Sequence, residues 1–409
     1  MILKPHPMSK ANTFNRQILA GFLFLLTTLT TEANVVLNWN ERLIHEMRVD
    51  TLAPGIIARN LAILHSAIET AFQSAPDCPD QRIALISYKV CASLLPSHSA
   101  AFDSAIARHY PNPVPSQDRT FADDVAGKTL ESFANDGAST HVTYIARLMP
   151  GIWRRTPPFF RTPELPHWKN VRPVHLKSAD QFRPSGPPAM SSDRYRSALE
   201  EVRRLGANSS DARTADQTEI ARFWSDFSYT ETPVGHWNAI ARQIALAQKP
   251  TTRATSHLFY LLNSGMADAA IACWETKYFY DSWRPITALQ EGVAPLNIPA
   301  QPDWSPLLTT PSHPEYVSGH STFSGVAAGI LRRFFQTDQI DFDVASDTLK
   351  SAKRHFSSLS SCAEECSDSR VYGGIHFRFS CQDGLELGEK IADWTWAQSK
   401  RSAQNKEIR

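Results

Sequence analysis

Apolar residues recur at helical spacing along most of this chain. In "APGIIARNLAILHSAIETAF", residues 53–72, Ile57, Leu61, Leu64 and Ile68 share one face, and Pro54 stands where a helix can start. "RIALISYKVCASLL", "FADDVAGKTLESFAND" and "YRSALEEVRRLG" predict three more helices. "TADQTEIARFWSDF" opens on Thr214 and Gln217, the spacing of a capping box. "HWNAIARQIALAQ" follows, then a long helix from about Arg253 to Trp283. Phe323, Val326, Ala327, Ile330 and Phe334 form a stripe after Ser318, and Leu387, Ile391 and Trp394 mark a last helix. Alternating strand patterns are almost absent, and no short-period repeat occurs. The predicted fold class is all-α, a large helical bundle in one domain over residues 34–409. From about 150 to 192 the pattern breaks into a Pro- and Trp-rich stretch. Its aromatics need burial, so it is expected to wrap the bundle rather than link domains.

The first residues break the pattern differently. Lys10 and Arg16 precede the apolar run "ILAGFLFLLTTLT", and Thr31 and Ala33 give a small-x-small pattern. Residues 1–33 therefore read as a signal peptide, with a periplasmic or secreted product as the expected outcome. The alternative is an uncleaved anchor. The run is shorter than the ~20 residues of a membrane span, and no later segment approaches one.

Composition narrows the partners. The chain has 409 residues, 42% hydrophobic and 20% charged, with a net charge of +1. That balance gives no overall field for nucleic acid or an acidic membrane, so any cationic site is built locally. In an oxidising compartment some of the 6 cysteines are expected to pair, and Cys362, Cys366 and Cys381 are close enough in sequence for one local bridge. A zinc site joining them to His376 matches no common ligand spacing. Oligomeric state is not legible.

Three segments between 274 and 383 carry candidate chemistry. In "WETKYFYDSWRP", Lys277 and Arg284 are seven residues apart, which two helical turns would bring to one face together with Trp274. Pro285 disfavours helix at Arg284, putting the arginine at the helix end. In "PSHPEYVSGHSTF", Ser318, Gly319 and His320 lie where a loop becomes a helix. The free N–H groups and positive dipole end of a helix start attract an anion. Gly319 allows close backbone approach, and His320 can move protons near neutral pH. In "SRVYGGIHFRF", Arg370 supplies a planar fork of donors, and Gly373 and Gly374 allow a turn that returns His376. Taken singly, these are surface cations, a capped helix and a structural histidine. Together they gather three cations that cost several kcal/mol each to desolvate unless an anion joins them.

The ordered trio "KYFYDSWRP", "VSGH" and "SRVYGGIH" resembles the vanadium-dependent haloperoxidases and the type 2 phosphatidic acid phosphatase superfamily that contains them, whose pattern is K-x6-RP, PSGH and SR-x5-H. "VVLNWN", "ARNLAILHSAI", "PGIWRRTPP", "RTADQTEIARFW", "GHWNAIA" and "DGLELGEKIA" are similar to the bacterial haloperoxidase-like branch, from Val35 to about Trp396. The resemblance implies that Lys277, Arg284, Ser318, Gly319 and Arg370 bind vanadate oxygens, or phosphate in the same place. It implies that His376 coordinates vanadium and that His320 is the acid–base residue. Trp274 and His313 match positions that flank the halide site in some members. Val317 replaces the usual proline, losing a lock on φ beside Ser318.

Two chemistries fit that resemblance. In one, vanadate acts as a Lewis acid and hydrogen peroxide oxidises a halide. In the other, an acid phosphatase hydrolyses phosphomonoesters, His376 attacking phosphorus to form a phosphohistidine and His320 protonating the leaving oxygen. Phosphatases of the superfamily usually carry an Asp soon after the last histidine. Here Ser380 stands there and Asp383 lies further on, which favours the oxidase. A non-catalytic oxyanion-binding protein is a third reading, weakened by the presence of all seven core residues.

Overall fold

In the computed structural model, residues 34–227 and 229–407 are described, with side chains as far as Arg401. The signal-peptide reading of residues 1–33 lies outside them. From Asn34 on the chain forms one compact unit. Its helices are α1 (Val35–Val49), α2 (Pro54–Ser74), α3 (Asp80–Leu94), α4 (Ser99–Ile106), α5 (Ser116–Phe133), α6 (Asp193–Leu205), α7 (Ala215–Phe223) and α8 (Thr232–Gln248). There follow α9 (Thr252–Tyr280), α10 (Pro285–Glu291), α11 (Gly319–Phe335), α12 (Leu359–Tyr372) and α13 (Arg378–Glu407). The fold is a helical bundle, as the periodicity predicts. Ile57, Leu61, Leu64 and Ile68 are all buried on α2, and the Thr214–Gln217 capping box forms with both of its bonds.

One pair of strands departs from the all-helical pattern. Gln339–Ala345 (β1) and Lys353–Ser358 (β2) make an antiparallel hairpin, with Phe342 opposite Phe356. "QIDFDVA" alternates strictly, burying Ile340, Phe342 and Val344. The signal is present in the sequence, but only a few residues long.

The helix α9 is the central post, packed against α2, α11 and α13. Gly325 on α11 and Gly388 on α13 let those two helices approach backbone to backbone. A Cβ on Gly388 would run into the carbonyl of Thr322, and one on Gly325 into that of Leu385. This contact fixes the start of α11, where the site is built.

The proline-rich stretch wraps the bundle as expected, in part. Trp153 and Trp168 are fully buried, and the Glu164 carbonyl accepts from Trp274 Nε1 (3.2 Å) and the Tyr278 hydroxyl (2.6 Å). Phe159 and Phe160, however, are largely exposed.

The expected disulfide does not form. All six cysteines are free and buried. Cys362 and Cys366 sit one turn apart on α12 and Cys381 on α13, each packed into the core. Burial pushes every thiol above its usual range. A thiol-specific reagent such as Ellman's is expected to titrate none of them in the native protein and all six after denaturation. Rapid native reaction at any one would contradict this packing.

Candidate active site

The first cation sits where the long helix is about to end. Asp281 caps α9 in the left-handed conformation (φ 53°), so Arg284 does not continue the helix. It stands extended as the N-cap of α10, before Pro285. Lys277 and Arg284 therefore do not share a helical face; they meet because the chain turns between them. Arg284 is fully buried. Its Nε donates to the His313 carbonyl (3.0 Å) and its Nη1 to the Ile375 carbonyl (2.7 Å). Nη1 also donates to His376 Nε2 (3.1 Å), and Nη2 to His313 Nδ1 (3.0 Å).

Lys277 is equally buried, and all its hydrogens go to the loop before α11. Nζ donates to the carbonyls of Pro314 (3.0 Å), Glu315 (3.1 Å) and Val317 (2.5 Å). It ties down the segment in which Val317 replaces the proline, supplying by hydrogen bonds part of the rigidity that a fixed φ would give. Burial pulls its pKa down to about 8.

Ser318 is the N-cap of α11. Its Oγ accepts from the Ser321 amide (3.4 Å) and hydroxyl (2.9 Å), leaving its own proton to donate. A Cβ at Gly319 would meet only Cys273 Sγ and Trp274 Cζ3, both at 3.9 Å, so the helix start is open on that side. His320, on the first turn, is the partly exposed member of the site. Its Nε2 accepts from Arg370 Nη1 (3.2 Å) and lies 3.9 Å from Asp226.

Arg370 comes from α12, buried, with Nε on Ser369 Oγ (2.9 Å) and Nη2 on the Trp224 carbonyl. Gly374, at φ 77°, makes the turn that presents His376 between α12 and α13. The structure thus brings Arg284, His376 and His313 into direct contact, and pairs Arg370 with His320 beside them. Trp274 lies against His313, with ring centroids 5.1 Å apart.

Sequence reasoning missed the residue that holds His376. Glu315, wholly buried in the loop, accepts from His376 Nδ1 (2.8 Å) and from the Phe377 amide (3.0 Å). The acid sought after the last histidine comes instead from before Ser318. Asp383 is turned elsewhere, accepting from the Tyr316 hydroxyl (2.8 Å) and pairing with Arg194 (3.2 Å). The available signal was a lone Glu between Pro314 and Tyr316, immediately ahead of Ser-Gly-His. Asp226 was missed too. It pairs with buried His236 (3.1 Å) while facing His320.

These carboxylates partly balance the cations, contrary to the unopposed charge expected from the motifs alone. Burial pushes both Glu315 and Glu164 up to about 7, against the pull of Lys277 and Arg284. The balance still favours an anion. Both His376 and His320 are driven well below the usual histidine value, first by burial and then by a neighbouring guanidinium, Arg284 for one and Arg370 for the other. With Nδ1–H held by Glu315, the Nε2 lone pair of His376 faces the site, where it accepts from Arg284 Nη1 and where a ligand would take that hydrogen's place. Buried guanidinium donors, an open helix start and one available imidazole nitrogen fit a tetrahedral oxyanion such as vanadate or phosphate.

Fold and site together define a helical bundle whose buried guanidinium donors and open helix start suit an oxyanion. The comparisons narrow that class. Residues 257–405 match the family model of the VCPO second helical-bundle domain. The chain is 24% identical over 296 residues to the vanadium chloroperoxidase of Curvularia inaequalis, covering 55% of this chain and 48% of that protein. It is 32% identical over 93 residues to the vanadium-dependent bromoperoxidase of Corallina officinalis, 20% of this chain and 16% of that one. The chain thus spans about half or less of the curated relatives it matches. Among solved structures, a bacterial vanadium-dependent iodoperoxidase aligns with a TM-score of 0.79 at 26% identity, covering 89% of this chain and 95% of that one. A bacterial vanadium-dependent chloroperoxidase, with a TM-score of 0.68 at 17% identity over 86% and 93% of the two chains, shares the fold. Residues 257–405 thus match the second helical-bundle domain of that family, and the chain shares the fold of the bacterial vanadium haloperoxidases.

Proposed function

We propose that the protein is a vanadate-dependent haloperoxidase, exported by its first 33 residues and acting on halide and hydrogen peroxide. The observation that carries the reading is His376. Its Nδ1–H is fixed on Glu315, and its Nε2 faces Arg284 at the start of α11. His376 is the vanadium ligand in this reading, and Arg284, Arg370, Ser318 and Gly319 form the oxyanion cradle, while Lys277, its three hydrogens spent on the Pro314, Glu315 and Val317 carbonyls, holds the loop and adds its charge from behind. When bound, vanadate supplies Lewis acidity that activates hydrogen peroxide towards a halide. The chain's own part is proton handling and water exclusion. His320 is held neutral, and its Nε2, which accepts from Arg370 Nη1, can accept a proton from hydrogen peroxide once Arg370 turns to the bound oxyanion. Trp274 and His313 wall the place we assign to the halide.

The Glu315–His376 pair also favours a second reading, the phosphomonoesterase. A carboxylate-held imidazole is a nucleophile arrangement: Nε2 would form the bond to phosphorus while the ester oxygen leaves with a proton from His320. The two readings differ in the form of His320 that they need. Its lowered pKa means the imidazolium is populated only at acid pH. Ester hydrolysis, measured as kcat/KM, should therefore rise as pH falls below about 6.5, the ordinary histidine value.

The deciding assay uses protein purified without phosphate. Orthovanadate should switch on oxidation of bromide or iodide by hydrogen peroxide, and His376→Ala should abolish it. Ester turnover that vanadate abolishes, with no halide oxidation, would reverse the assignment. Cell fractionation tests the export reading.

A further inference from the structure

Most of the exposed large apolar side chains among the described residues fall between Val142 and Phe160 or at the end of α9, with Val49, Tyr229 and Leu246 elsewhere in the sequence. Ile145, Leu148, Met149, Phe159, Phe160 and Phe279 are all exposed, Ile145 and Leu148 to 81% and 80%. They flank a set of residues in mutual contact around the end of α9. Tyr144 packs tilted against Trp153 (5.1 Å) and edge-on to Tyr278 (5.7 Å), its hydroxyl donates to Asp281 (2.7 Å), and Trp153 N donates to the Asp281 carbonyl (2.7 Å). Residues 141–150 are exposed throughout except Tyr144, so this segment is pinned at its anchors and turned outwards between them.

The same segment carries one sign of charge. From Ala138 to Pro163 there are Arg147, Arg154, Arg155 and Arg161, and no Asp or Glu. Arg147 and Arg154 reach Asp281 and Glu291 elsewhere in the fold. Arg155 and Arg161 are exposed, and Arg161 lies over the Phe159 ring at 5.1 Å. A chain with a net charge of only +1 has therefore gathered at one end of its central helix an apolar strip whose own residues 138–163 hold no acid and whose Arg155 and Arg161 stay exposed, while Arg147 and Arg154 are paired.

We propose that this strip docks the protein peripherally on an anionic lipid bilayer surface. Isoleucine, leucine, methionine and phenylalanine side chains enter the headgroup boundary while arginines bind lipid phosphates, the combination that interfacial segments use. No described helix is long and apolar enough to cross a membrane, so the contact is superficial. A second copy of the chain is a poorer occupant. A two-fold contact through the strip would set arginines near arginines with no carboxylate from the strip between them. An extensively exposed apolar patch on a lone protein otherwise invites association.

The test attaches an environment-sensitive fluorophore to Leu148→Cys in the full chain, where the six native thiols are buried. Vesicles of phosphatidylglycerol with phosphatidylcholine should blue-shift the label, and pure phosphatidylcholine should not. Arg155→Ala with Arg161→Ala should weaken the response about 30-fold, at roughly fivefold per arginine. Phe159→Ser with Phe160→Ser should weaken it further, with circular dichroism and orthovanadate binding unchanged, since neither pair touches the oxyanion site. The proposal is overturned if the label ignores anionic vesicles, if neutral vesicles act equally, if the arginine pair changes nothing, or if the shift follows protein concentration without lipid.

Discussion

Glu315→Gln is expected to weaken orthovanadate binding by about 10–100-fold, the usual cost of removing a partner that orients a metal-ligating histidine. The carboxylate does two things in this site. One oxygen accepts both His376 Nδ1–H and the Phe377 amide, fixing which imidazole nitrogen is free and where α13 begins. The other oxygen is buried without a partner. Glutamine fills the same volume and can still accept from Nδ1, but it must put an NH2 where that unpartnered oxygen lies. It also removes a negative charge from between Lys277 and Arg284, the two cations that Glu315 faces most closely. Glu315→Asp keeps the charge and loses reach, so it should fall between wild type and Gln. Titration calorimetry with orthovanadate reads the affinity, and 15N imidazole shifts of His376 read the tautomer. If affinity and tautomer both survive in Glu315→Gln, the carboxylate is a bystander.

Why was Glu315 not legible when its neighbours were? The helices were readable because each writes its own period: Ile57 to Ile68 needs no knowledge of what covers it. The core site residues were readable because three short motifs keep their internal spacing. What a motif does not contain is its partner. His376 finds Glu315 61 residues earlier, and Arg370 finds the Trp224 carbonyl 146 residues earlier. Nothing local in "SRVYGGIH" reports either. Spacing also misled once. Seven residues between Lys277 and Arg284 suit two helical turns, but Asp281 tolerates the left-handed conformation and Pro285 forbids helix before it, so the chain breaks there. The short hairpin was overlooked for the opposite reason, being a clear alternation too brief to stand out in a helical chain. The pairing of cysteines failed because compartment is a weaker guide than packing, and the core holds each thiol apart.

The second large effect is expected at Arg284, even for lysine. The guanidinium spans the site, with Nε and Nη2 on His313 and Nη1 on Ile375 and His376. These acceptors belong to two loops brought together from either side of α11. An ammonium concentrates its three donors at one point and cannot reach both loops at once. Arg284→Lys therefore leaves at least two buried acceptors bare, at about 1–3 kcal/mol each. The melting temperature should drop by roughly 5 °C. Oxyanion affinity should fall about 100-fold or more, because two charge-assisted bonds of about 1.5–3 kcal/mol each lose their fork geometry. The two losses separate cleanly. A stability loss with vanadate affinity intact would make Arg284 a loop tie only. Lost affinity at unchanged melting temperature would mean that the His313 and Ile375 carbonyls find other donors. The arrangement seen here requires both, since the same planar group that joins the loops is the one that faces His376 Nε2.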